Sequence, residues 1–151
     1  MLKDFDTIKY YLKILCFNLL LFIIIYYPTN NLSIMTHNIS FQWEQNIPFV
    51  DWMIIPYMSF NLLFIIPIFL LDKEQIRNLS YECTISTIFS GIIFLIFPVK
   101  LLFVREIPNG VFNKIYEYLF IIDQPQNLFP SLHIMYSLLL LLNCFLLLLT
   151  C

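Results

Sequence analysis

The stretch WMIIPYMSFNLLFIIPIFLL, residues 52–71, contains no charged side chain in twenty consecutive positions. A helix needs about 20 predominantly apolar residues to cross the hydrocarbon core of a bilayer. Apolar residues follow one another here without the alternation of a half-buried strand, which favours a helix. The sequence therefore predicts a membrane-spanning helix at Trp52–Leu71.

Three further apolar segments lie on either side of this stretch. They predict spans at Tyr10–Tyr27, where Pro28 ends the run, at Cys83–Val104 and at Ser131–Cys151. Prolines within or near such spans are tolerated when neighbouring groups satisfy the freed carbonyls, and we expect kinks there. The chain is predicted to be an all-α, polytopic membrane helix bundle that forms one membrane domain over residues 1–151.

The composition excludes a soluble domain. The 151 residues are 60% hydrophobic and 12% charged, whereas a soluble domain is about 45–50% apolar and about 25% charged. The net charge of −2 and the lack of a basic stripe exclude a nucleic-acid partner. Because the chain contains no alanine, the first apolar run lacks the small-residue cleavage site of a signal peptide and is interpreted as a retained anchor.

The charged residues of the loops predict the orientation. Lysines occur in the N-terminal tail and basic residues in loop 72–82, whereas loop 28–51 has none. By the positive-inside rule, the N-terminus is cytoplasmic, and loops 28–51 and 105–130 face outward. Arg105 and Lys114 in the second outer loop run against this rule. We expect an integral protein of the plasma membrane or a secretory membrane.

Cysteine and aromatic residues give no sign of a site of their own. No pair of the four cysteines has C-x-x-C spacing and no histidine lies near them, so they are interpreted as buried thiols. The aromatic residues near the span boundaries are interpreted as interfacial anchors and not as a binding cage. They are Tyr26, Tyr27, Trp43, Trp52 and Tyr57.

The segment DQPQNLFPSLH, residues 123–133, is the one that carries chemistry. Its two prolines keep it out of a helix, and Ser131 then stands at the expected N-cap of the fourth span, with His133 in the first turn. A helix N-terminus offers free backbone N–H groups to a phosphate, and a histidine there exchanges a proton near neutral pH. The alternative is that His133 hydrogen-bonds a head group or a carbonyl at the interface.

FPSLH, preceded by Asp123, Pro125 and Asn127, resembles the second signature of the type-2 phosphatidic acid phosphatase superfamily. Leu132 in place of the usual glycine is similar to the inositol-phosphotransferase branch, which includes the inositol phosphorylceramide synthases. Two upstream pieces also resemble this family. Residues 47–57 look like the approach to its second span, and Phe97-Pro98 followed by Arg105 looks like its first signature.

The resemblance covers about residues 47–137 and implies a bundle of about six spans that acts on a phosphorylated lipid at the outer face. It implies a phosphohistidine mechanism without metal or cofactor, in which His133 is the leaving-group acid. The phosphate would be bound by Arg105, Ser131 and Lys100, with Asp123 and Asn127 in support. Lys100 stands five residues before Arg105 instead of seven, and snorkelling to the interface is its alternative role.

The family's third signature, which supplies the nucleophilic histidine, has no counterpart here. The only other histidine, His37, is interpreted as a surface residue, and the chain stops inside an apolar run. We therefore expect a truncated N-terminal portion that shows no turnover alone. Three functions stay open: a lipid phosphatase or phosphotransferase, an inactive protein that binds phosphorylated lipid head groups, and a small structural membrane protein. The substrate lipid, hydrolysis or transfer, and the oligomeric state are not predicted.

Overall fold

A computed structural model describes residues 4–31, 36–101 and 103–150, with side chains up to residue 145. These residues form helices, turns and two isolated β-bridges. The α-helices are α1 (Phe5–Asn30), α2 (Ile54–Ser59), α3 (Ile66–Leu70), α4 (Lys73–Ile96), α5 (Asn113–Ile122) and α6 (Leu132–Thr150), and 3-10 helices occupy Gln42–Asn46, Asp51–Met53 and Phe60–Ile65.

The predicted all-α membrane bundle is confirmed. Among the described residues, three helical segments are long and apolar enough to cross a membrane: Phe5–Asn30, Asp51–Leu70 and Lys73–Ile96. The fourth expected segment is α6, which is apolar over Leu132–Phe145, the part whose side chains the structure describes. The segment Asp51–Leu70, which combines α2, α3 and two of the 3-10 helices, is called the second span below.

The helix bounds differ from the edges of the apolar runs. Pro28 does not end α1, which continues to Asn30, because a proline near the end of a helix removes a single hydrogen bond and its fixed φ suits the helix. The loop expected at residues 72–82 is instead the beginning of α4. A capping box starts this helix, since the Asp72 carboxylate accepts from the Gln75 N–H at 2.9 Å and the Gln75 amide accepts from the Asp72 N–H at 2.8 Å.

At its other end α4 stops at Ile96, so Lys100 and Val104 lie outside the helix that was expected to contain them. Hydropathy reports which residues prefer lipid, whereas capping decides where a helix begins. Hydropathy alone therefore predicts a loop where the charged first turns of α4 lie.

Pro67 changes the helix type within the second span. In the 3-10 pattern of residues 60–65, the carbonyl of Phe64 would accept from the N–H of residue 67, and proline has none. The hydroxyl of Tyr11 in α1 donates to this carbonyl. A residue of another helix thus satisfies the group that the proline frees, as a membrane-embedded backbone requires.

Polar side chains join the helices within the bundle. α1 packs along α4, α4 packs on α6, and α6 packs on the second span. Asn18 of α1 donates to Ser80 at 2.7 Å and accepts from Thr84 at 3.2 Å, both on α4. α1 approaches α4 so closely at Gly91 that a Cβ there would overlap Cγ2 of Ile25. These contacts hold the helices together, and the candidate site lies at one end of the resulting bundle.

Candidate functional site

The residues singled out in the sequence lie at one end of the bundle, where α1 ends, the second span begins, α4 ends and α6 begins. The connecting segments are joined to one another there. The Lys100 N–H donates to the His37 carbonyl at 3.0 Å, the Leu101 N–H donates to the Pro125 carbonyl at 2.9 Å, and the Tyr116 hydroxyl donates to the Asp51 carbonyl at 3.1 Å. We call this region the loop end.

The segment after α5 is fastened to the last turns of α1. The Tyr26 hydroxyl donates to the Asp123 carboxylate at 2.6 Å, and the Asn127 amide donates to the Thr29 hydroxyl at 2.9 Å. The side-chain N–H of Asn30 donates to the backbone carbonyl of the residue after Asp123 at 3.1 Å. Its side-chain oxygen accepts from the backbone N–H of that same residue at 2.9 Å. We call these contacts the latch.

The latch uses residues of α1 that the sequence did not single out as site residues. Tyr26 was interpreted as an interfacial aromatic, whereas its hydroxyl holds the carboxylate of Asp123. Nothing in the sequence around Tyr26 predicts that its hydroxyl contacts a residue nearly a hundred positions away. The contact exists only because α1 and the DQPQN segment meet at the loop end.

Asn127 sets the backbone conformation of this segment. Its φ is 58°, in the left-handed region that asparagine tolerates better than most residues. Its side chain is 6% exposed, and its Oδ1 has no hydrogen-bond partner among the described residues. Asn127 therefore shapes the turn that leads to α6 and ties it to α1.

Arg105 contacts the backbone of Asp123 at the loop end, the end of the bundle at which His133 also lies. Arg105 donates from Nη1 to the backbone carbonyl of Asp123, and its guanidinium lies over the ring of Phe120 at 4.9 Å from the centroid. The Asp123 backbone that accepts this bond and the first turn of α6, which contains His133, both lie at the loop end. A cation, a carboxylate and an imidazole thus share one region.

The His133 ring is positioned by aromatic residues of the second span. It lies 4.9 Å from the ring of Tyr57 and 4.7 Å from the ring of Phe60, measured between centroids. Tyr57 was expected to be an interfacial anchor, and the structure places it against the candidate acid. The sequence contains no spacing that joins the second span to the start of α6.

Ser131 begins α6 as expected of an N-cap residue. Its hydroxyl accepts from the Ile134 N–H at 3.5 Å, and its carbonyl accepts from the Met135 N–H at 3.0 Å. The N–H groups of the first residues of a helix have no partner within that helix. Among the described residues the N–H groups of Leu132 and His133 form no hydrogen bond, so these two remain donors for an anion.

Lys100 and His37 stand apart from this group. Lys100 is exposed and its backbone forms an isolated bridge with Gln126, and no hydrogen bond or salt bridge involves its ammonium group among the described residues. His37 is exposed and stacks on Phe97 at 4.4 Å between ring centroids. The two histidines of the chain therefore contact different aromatic residues.

A half-open cavity of about 310 Å³ adjoins His133 within the bundle. α1, the second span and α6 form its walls, and Cys83 of α4 also lines it. Its lining residues are Leu15, Asn18, Leu19, Phe22, Phe60, Asn61, Phe64, Cys83, Leu132, His133 and Tyr136.

Chemically, this end of the bundle offers a cation, helix N–H donors and an imidazole, next to an apolar cavity. These groups suit a phosphate ester that carries a hydrophobic tail. Comparison with protein-family models, with curated proteins and with solved structures gives no match to this chain.

Proposed function

We propose that this chain belongs to the type-2 phosphatidic acid phosphatase superfamily and carries the phosphate-binding, acid-bearing part of a lipid phosphatase or phosphotransferase. The observation that supports it most is that Arg105, bound to the Asp123 backbone, lies at the same end of the bundle as His133, which lines an apolar cavity. The proposed orientation has a cytoplasmic N-terminus and the loop end at the outer face of the plasma membrane or a secretory membrane.

Each residue has a role that its surroundings permit. Arg105 uses one N–H on the Asp123 carbonyl, so other donors of its guanidinium can bind phosphate oxygens. The N–H groups at the start of α6 and the Ser131 hydroxyl add neutral donors and the positive end of the helix dipole. His133 would protonate the departing oxygen of the ester, and Asp123 positions Arg105.

The second candidate is a protein that binds a phosphorylated lipid and leaves it intact. The observation that favours it is the position of His37, whose ring lies on Phe97 while the His133 ring lies on Tyr57 and Phe60. A phosphohistidine mechanism needs a nucleophilic imidazole in line with the leaving group, and here the two imidazoles pack on different aromatic residues.

Binding is tested with the purified chain in lipid nanodiscs. Phosphatidic acid should raise its unfolding temperature, whereas diacylglycerol, which lacks the phosphate, should not. Arg105→Ala should weaken phosphatidic acid binding by about 10–100-fold, the loss expected for a hydrogen-bonded charge pair. Lys114→Ala, which removes another cation of the same outer segment, is the control and should bind as the unchanged chain does. Equal effects of the two lipids would refute the proposal.

Phosphate release measured on the same sample separates the two candidates. The chain by itself is expected to bind without releasing phosphate, since the nucleophile of the resembled family has no counterpart in its sequence. Release that His133→Ala abolishes and His37→Ala leaves intact would show that these residues suffice for hydrolysis. Release abolished by either substitution would identify His37 as the nucleophile.

A further inference from the structure

The first turns of α6 are recessed below the ends of the neighbouring helices. The Ser90 hydroxyl contacts the Met135 sulfur at 3.4 Å, and the hydroxyls of Thr87 and Tyr136 lie 2.5 Å apart. Ser90 and Thr87 stand six and nine residues before the end of α4, which is about 9–14 Å along the helix axis. His133 therefore lies within the helical layer and not on its rim.

The cavity extends inward from His133. Along α1 it is lined from Phe22 down to Leu15, a distance of about 10 Å at the rise of an α-helix. Leu19 lines the cavity yet is 55% exposed, and Asn61 of the second span also lines it and is exposed. The mouth therefore lies between α1 and the second span and opens sideways, toward the hydrocarbon of the membrane.

Two polar side chains of the wall, Asn18 and Tyr136, already have partners within the protein. The Asn18 amide is bonded to Ser80 and Thr84, and the Tyr136 hydroxyl pairs with Thr87. The rest of the wall is mainly aromatic and aliphatic. An apolar cavity of this kind excludes water and takes apolar ligands, and its volume is at the lower limit for binding pockets.

We propose that this cavity binds one alkyl chain of a phosphorylated lipid, which enters between α1 and the second span with its head-group end at His133. The head-group assignment rests on the proposed function, whereas the alkyl site rests on the cavity alone. The chain enters from the membrane because the mouth faces hydrocarbon, and it is a single chain because the cavity has room for one narrow segment and little more.

Photo-cross-linking tests this site with two probes, an alkyl phosphate and the corresponding alkanol, each with a diazirine near the end of its chain. In nanodiscs, the alkyl phosphate should label the segments around Leu19 and Phe64. Leu19→Trp, which fills the cavity, should reduce this labelling at least fivefold. Leu20→Trp is the matched control, since Leu20 is 58% exposed and does not line the cavity, and it should label as the unchanged chain does.

The two probes separate the alkyl site from the phosphate site. If both label the cavity equally and Leu19→Trp blocks both, the alkyl site stands and the proposed function fails. If only the alkyl phosphate labels it, both stand. Labelling that Leu19→Trp leaves unchanged would overturn the alkyl site. Loss of a dimer in Leu19→Trp without any labelling would also overturn it, because a second copy of the chain would then fill the cavity.

Discussion

Replacing Tyr26 by phenylalanine removes one oxygen atom and, with it, the hydrogen bond that fastens α1 to the segment before α6. The hydroxyl donates to the Asp123 carboxylate at 2.6 Å. Phe22 stacks on the Tyr26 ring at 4.8 Å between centroids, and phenylalanine keeps that contact. Tyr26→Phe therefore tests the hydrogen bond and leaves the packing in place.

The expected cost follows from the charge of the acceptor and the exposure of the pair. A hydrogen bond to a charged group contributes about 1.5–3 kcal/mol, and polar contacts between membrane helices average about 0.6 kcal/mol. Both residues are half-buried, so we expect Tyr26→Phe to lower the free energy of unfolding by about 1–2 kcal/mol. Reversible unfolding in mixed micelles with rising dodecyl sulfate measures this quantity.

The neighbouring Tyr27 provides the control. Tyr27 is 62% exposed and lies on the same helix, so Tyr27→Phe should change the stability by less than about 0.5 kcal/mol. Adding Asp123→Asn to Tyr26→Phe should cost less than the sum of the two single changes, because the residues share one bond. Equal losses for the two tyrosines, or full additivity with Asp123→Asn, would refute the latch.

Other contacts of the bundle give predictions that the same unfolding measurement checks. Gly91→Val should cost about 1–3 kcal/mol by overpacking, since a Cβ there overlaps Ile25, and Ile25→Ala in the same chain should recover most of the loss. Asn143→Leu should cost about 1–3 kcal/mol because it removes the 2.7 Å bond to the Glu82 carboxylate, and adding Glu82→Leu should restore stability. If either second change failed to compensate, its contact would be refuted. Asp72→Ala should cost about 1 kcal/mol by breaking the capping box of α4, and unchanged hydrogen exchange in its first turn would contradict this.

Composition and continuous hydropathy were sufficient to predict the class of fold, because lipid allows few ways to satisfy a backbone. They were insufficient for helix ends. Asp72 and Gln75 start α4 well before its apolar run begins. The helix then continues through residues that are as rich in charge as a loop. A kink was expected at Pro67, but the bond from Tyr11 to the Phe64 carbonyl was not, since that contact depends on how α1 packs.

Part of the candidate site could be predicted because FPSLH is a local pattern. Ser131 and His133 occupy the helix start that their spacing indicates. The residues that surround His133 come from the second span and have no such pattern. Lys100 was expected to bind phosphate because of the resemblance; the structure places it at an exposed position outside α4, and its role stays a prediction.

Asp123 connects the stability of the fold to the site. Its carboxylate accepts from Tyr26, and its carbonyl accepts from Arg105. Suppose that a ligand binds more tightly when the latch holds Arg105 and His133 in place. By thermodynamic linkage, that ligand must also favour the docking of α1 onto this segment. The factor by which Tyr26→Phe weakens phosphorylated-lipid binding should therefore equal the factor by which the lipid strengthens the Tyr26–Asp123 contact. Because the coupling is reciprocal, a bound lipid phosphate would hold the first helix in place while the first helix holds the site in shape.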